Sequence, residues 1–159
     1  MELFSNFPLW SALIAIVFAQ VVKIPLHFFA TKEFKPGLAF STGGMPSSHS
    51  AAVTAVTTGI GIEHGVSSGL FAISCITAII IMFDATGIRR QAGEQAILLN
   101  MLVKDFHRFV TEAKGWGGQK GEYEKQKELK ELLGHQPIEV FFGGLTGIFL
   151  AYLLYPFFA

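Results

Sequence analysis

The sequence predicts an all-α integral membrane helix bundle of about four spans, with one additional amphipathic helix at the interface. Three observations lead there. The chain of 159 residues is 51% hydrophobic and has a mean hydropathy of +0.47, too apolar for an ordinary soluble domain of this size. Its apolar residues gather into stretches of about 20, the length needed to cross a hydrocarbon core. The net charge is zero, yet all 12 Lys and Arg residues fall on one side when four segments cross in turn.

The first span is expected at about 8–29, interrupted by Lys23 and followed by the basic loop TKEFKPGLAFSTGG. The second, 46–62, is shorter and rich in Ala, Thr, Ser and Gly, the composition of a helix packed against other helices. Pro46 is expected just inside its start, with Ser47 or Ser48 as the cap. The third, 66–84, ends at Asp84, an ionisable residue at the membrane boundary that needs a partner; Arg89 or Arg90 is the nearest cation in sequence. A cytoplasmic loop, 87–135, follows. Within it Ala92, Ala96, Leu99, Val103 and Phe106 recur at helical spacing, predicting an interfacial helix over 91–109 that covers the domain. AKGWGGQKG reads as a flexible loop and EYEKQKELKELL as a solvated helix stopped by Gly134. The last span is expected at 137–158, and the whole chain forms a single membrane domain, 1–159.

Both basic loops are short enough for the positive-inside rule, which puts them in the cytoplasm and both termini outside. The expected location is a multi-pass cell membrane protein, or a plastid membrane protein in a plant. MELFSNFPLW lacks a basic n-region, so no cleaved secretory signal is expected. Cys75 is the single cysteine, which excludes an intrachain disulfide and a thiolate metal site. No nucleic-acid partner, cofactor or metal is expected.

The chemistry concentrates in two places. GGMPSSHSAAV carries Gly43, Gly44, Ser47, Ser48 and His49 at the start of the second span. HQPIE carries His135 and Glu139 at the start of the fourth. The topology brings both histidines to the cytoplasmic face, where helix N-termini favour an oxyanion and the glycine pair allows backbone to approach it. Histidine can attack phosphorus or protonate a leaving alcohol. A nucleophilic histidine needs its far nitrogen held by an acceptor, and Glu139 stands one helical turn away. Arg89, Arg90, Lys130 and Lys23 are available as cations for the equatorial phosphoryl oxygens.

These motifs together resemble the type 2 phosphatidic acid phosphatase superfamily, which shares its fold with vanadium haloperoxidases. PSSH, residues 46–49, parallels its P-S-G-H, and H-x-x-x-E, residues 135–139, parallels the end of S-R-x5-H-x3-D. GGMPSSHSA, DATGIRRQAGEQA and LKELLGHQPIEV in that order look like its small divergent branch, over nearly the whole chain. The resemblance implies that His135 forms a phosphohistidine, that Glu139 orients it and that His49 protonates the leaving alkoxide. Water then hydrolyses the intermediate without a metal, and Ser48 with nearby backbone N–H groups binds phosphate oxygens. The superfamily's Ser-Arg and K-x6-R-P are absent here, which leaves Arg89, Arg90, Lys130 and Lys23 as their expected substitutes.

The expected function is hydrolysis of a lipid or isoprenyl phosphate monoester. The alternative is a non-catalytic membrane protein that binds lipid phosphate headgroups or supports a partner complex. DATGIRR also superficially resembles the start of the CDP-alcohol phosphotransferase motif, but positions 91–104 lack the aspartates that hold its metal. Four spans are few for enclosing a pocket, so either the interfacial helix or a second copy in a homo-oligomer is expected to complete it.

Overall fold

A computed structural model describes residues 4–40, 43–114 and 135–158. Among them every regular element is helical. In chain order they are α1 (Phe7–Thr31), a 3-10 turn (Pro36–Phe40), α2 (Ser48–His64), α3 (Gly69–Thr86), α4 (Ile88–Lys114) and α5 (Pro137–Leu154), which runs into a final 3-10 turn (Tyr155–Phe157). The expected solvated helix EYEKQKELKELL lies outside the described residues, as does most of the loop before it.

Among the described residues three helical runs are long and apolar enough to cross a membrane: α1, the run beginning with α3, and the run beginning with α5. At 17 residues, α2 spans about 25 Å, the lower limit for a crossing. It packs against α1, α3 and α5, so the most polar of the expected spans is the innermost. Its small residues explain why. Ala51 and Ala55 are fully buried with Ala15 and Ala19 of α1 and with Leu150 of α5. A Cβ added at Gly143 or Gly147 of α5 would collide with the Ser47 or Ala51 backbone, so only glycine permits this approach. The approach is also bonded: Thr54 Oγ1 donates to the Gly144 carbonyl at 2.9 Å and Ser11 Oγ to the Ala55 carbonyl at 3.3 Å. Small residues and interhelical hydrogen bonds are what hold helices together where burial of apolar surface gives no advantage over lipid.

On α1 the buried residues other than Pro8 recur every fourth position: Phe7, Ser11, Ala15, Ala19 and Lys23. This ridge is small where it lies on α2. It becomes charged at Lys23, level with the turn that precedes α2. Outward-facing side chains form an apolar belt, including Val17 and Val21 on α1, Ile73, Ile76, Ile80 and Phe83 on α3, and Phe141 and Phe149 on α5.

Three expectations are corrected in detail. Pro46 precedes α2 rather than opening it, and Ser47 is the N-cap, accepting from the Ser50 N–H. The third helix starts at Gly69, because Ser68 caps it by accepting from the Phe71 N–H. The amphipathic helix α4 is longer than the 91–109 expected, and it does not cover the bundle: Leu98, Leu99, Leu102, Phe106 and Phe109 are exposed. Its inward residues are small or polar, Ala96 and Asn100 being buried, so the larger apolar arc is turned away from the neighbouring helices.

Candidate functional site

The site forms where the first turns of α2 and α5 meet the C-terminal third of α1 and the end of α3. Backbone fixes the meeting point. The Ser47 N–H donates to the Glu139 carbonyl at 3.0 Å, and the His135 N–H donates to the Ala85 carbonyl at 2.9 Å. One bond joins the two N-terminal turns, and the other hangs His135 from the end of α3, next to Asp84.

His135 is 3% exposed. Its Nδ1 lies 2.9 Å from Glu139 Oε2, and the same oxygen accepts the Gln136 N–H at 3.1 Å. A carboxylate oxygen that also takes a backbone N–H acts as acceptor, so Nδ1 is the donor in this contact, and in the neutral ring the lone pair is then on Nε2. That Nε2 is buried and has no hydrogen-bond partner. The His49 ring lies on the exposed second turn position of α2, with its centroid 6.0 Å from that of His135 and the planes inclined at 63°. A ligand atom placed between the rings would touch both.

Ser47 and Ser48 are buried. Ser47 Oγ is committed to the cap, accepting from Ser50 Oγ at 3.1 Å as well as from the Ser50 N–H. Gly44, at φ +91°, turns the chain in the left-handed region that favours glycine. The neighbouring Gly43 carbonyl accepts from Lys23 Nζ at 3.0 Å. Lys23 is 3% exposed, and its charge is close enough to Glu139 to attract it.

The cations therefore separate. Lys23 enters the site from α1. Arg90 is exposed on α4 and pairs with Glu94 one turn on, at 3.1 Å, a surface pair of small energetic weight. The Arg89 side chain and Lys130 lie outside the described residues. The sequence singled out no role for the Ala85 carbonyl, which leaves no side-chain signal.

Residues 4–150 match the model of a family described as the divergent PAP2 family. The chain belongs to that family. Over 158 residues, 99% of each chain, it is 63% identical to the uncharacterized membrane protein YuiD of Bacillus subtilis (strain 168). No solved structure matches this divergent PAP2 protein. Its membership and its apolar helices make it a membrane protein, and both histidine motifs fall within the matched residues.

Proposed function

We propose that this divergent PAP2 protein is a phosphatase for a phosphorylated amphiphile, working at the cytoplasmic membrane interface with both termini outside. The observation that carries the reading is the His135–Glu139 contact, which leaves a buried, unpartnered Nε2 on a ring whose centroid lies 6.0 Å from that of His49. In the reaction Nε2 attacks phosphorus, the P–N bond forms as the P–O bond to the alcohol breaks, and the proton on His49 passes to the leaving oxygen. Water then cleaves the P–N bond, releasing inorganic phosphate and the free imidazole. Ser48, the α2 N-terminus and Lys23 steady the phosphoryl oxygens, with Arg89, Arg90 and Lys130 as further cations and Gly43, Gly44 and Asp84 as structural support. A site at headgroup depth meets amphiphiles first, which favours lipid phosphate esters as substrates.

The test is phosphate release from lipid phosphates by purified protein in detergent, with inhibition by vanadate. His135→Ala should abolish release and the acid-labile labelled intermediate. Release that survives this substitution overturns the nucleophile assignment. Lipid phosphate binding without turnover, indifferent to His135, would support a binding protein of the same fold instead.

A further inference from the structure

The end of the bundle away from the two histidines holds a second recess. His64 closes α2 roughly 22 Å along its axis from His49, and beside it opens a groove of about 510 Å³ between the start of α1, the C-terminal half of α2 and the start of α3. Its shape follows from where α2 carries glycine. A Cβ at Gly59 would come within 2.9 Å of the Pro8 Cα on α1, and one at Gly61 within 3.0 Å of the Phe71 ring on α3. The two neighbouring helices therefore close on those two faces of α2. The face between them presents Val56, Ile60, Glu63 and His64 at helical spacing, and it is the floor of the groove.

The lining divides by chemistry. Val56 and Ile60, with Leu9 of α1 and Leu70 of α3, make an apolar trough, while Asn6, Glu63 and His64 stand at the rim. Asn6 Oδ1 accepts the Leu9 N–H at 3.0 Å, so what that side chain offers a ligand is its amide N–H donors. The His64 ring offers another N–H, and the Glu63 carboxylate accepts. Donors and one anion thus stand side by side above an apolar floor. The surroundings sharpen the charge: with four segments crossing in turn, this side of the chain carries Glu2, Glu63 and His64 and no lysine or arginine.

A headgroup of net negative charge would meet the Glu63 carboxylate with no cation to offset it. An ammonium would meet its counter-ion there, and a phosphate beside that ammonium would meet the Asn6 and His64 donors. The volume lies within the range of ligand sites, enough for a headgroup and the upper part of one chain. We propose that this groove is a lipid-binding site, separate from the histidine pair, for a zwitterionic phospholipid whose headgroup ends in a primary ammonium. The ammonium pairs with Glu63, the phosphate accepts from Asn6 and His64, and one acyl chain follows Ile60 and Val56 into the bilayer. The bound lipid fills the gap that α1 and α3 leave on α2.

The test titrates delipidated full-length protein in detergent with phosphatidylethanolamine and with phosphatidylglycerol of the same acyl chains, and counts bound lipid by native mass spectrometry. Phosphatidylethanolamine should bind one per chain and about three- to fivefold more tightly, the gain an ion pair at a solvated rim supplies. Glu63 is exposed, so Glu63→Gln should keep the thermal midpoint of the lipid-free protein while removing the preference. Ile60→Trp, which fills the trough, should weaken both lipids. Equal affinity of the two lipids for the unaltered protein, or a preference that survives Glu63→Gln, overturns the proposal. So does a preference abolished by saturating vanadate, which would put the lipid at the histidine pair. A dimer that Ile60→Trp dissociates and added lipid does not would make the occupant a second copy of the chain, and would overturn it as well.

Discussion

Glu139 does two things with one oxygen, holding the Gln136 N–H and fixing the proton of His135 on Nδ1. Glu139→Gln keeps an acceptor in place but removes the charge that stabilises an imidazolium. Phosphate release should fall by about two to four orders of magnitude with the helical signal and thermal midpoint little changed; retention of more than a tenth of the rate would show that the carboxylate is only structural. His49 predicts a different pattern. Its replacement by Ala should cost roughly 10²–10⁴-fold with an alkyl phosphate, and much less with p-nitrophenyl phosphate, whose leaving group needs no proton. An equal loss with both would remove His49 from the proton-donor role. The proximity of His135 to Glu139 was legible in the sequence because a four-residue spacing survives even though His135 sits just before the helix. The commitment of Ser47 to capping was half legible, since either serine could have served.

At the scale of helices, the contact between α2 and α5 depends on absent side chains. Gly147→Val would drive a branched side chain into the Ala51 carbonyl and Thr54, costing about 1–3 kcal/mol or more by overpacking and removing the room for the Thr54–Gly144 bond. A lowered unfolding midpoint in detergent should accompany loss of activity; an unchanged midpoint would mean the helices separate freely. The spans themselves were legible because runs of apolar residues are a direct demand of the bilayer. The central place of α2 was legible from its small residues. The outward turn of α4 was not, because a hydrophobic arc records that a helix has two faces and says nothing about which neighbour takes the apolar one. Phe106 and Arg108 stand about 200° apart on that helix. If α4 lies in the interface, tryptophan at 106 should emit at shorter wavelength than tryptophan at 108 in membranes, and coincident spectra would argue for a helix in water.

For the molecule as a whole, the segregation of every basic residue to one side of four crossings predicts its sidedness. A cysteine placed at Glu63 should react with an impermeant reagent in intact cells, and one at Arg108 only after the membrane is opened. The reverse pattern would invert the proposed topology and move the candidate site to the other face. The antiparallel order of α1, α2 and α3, with α5 alongside α2, also explains how segments almost 90 residues apart, His49 and His135, come together without a long-range sequence signature. Each lies within two residues of a helix start at the same end of the bundle, and backbone bonds from Ser47 and His135 complete the register.

The change from small to charged along the ridge of α1 amounts to a depth gauge. Lys23 stands eight residues before the end of its helix, which is about 12 Å, and the Gly43 carbonyl pins it there. In an enzyme built this way the scissile bond is met at one fixed level while the tail stays in lipid. Tail length would then matter little to recognition. The thickness of the surrounding bilayer, which sets how far a headgroup must sink to reach that level, would become the property of the membrane to which turnover responds most.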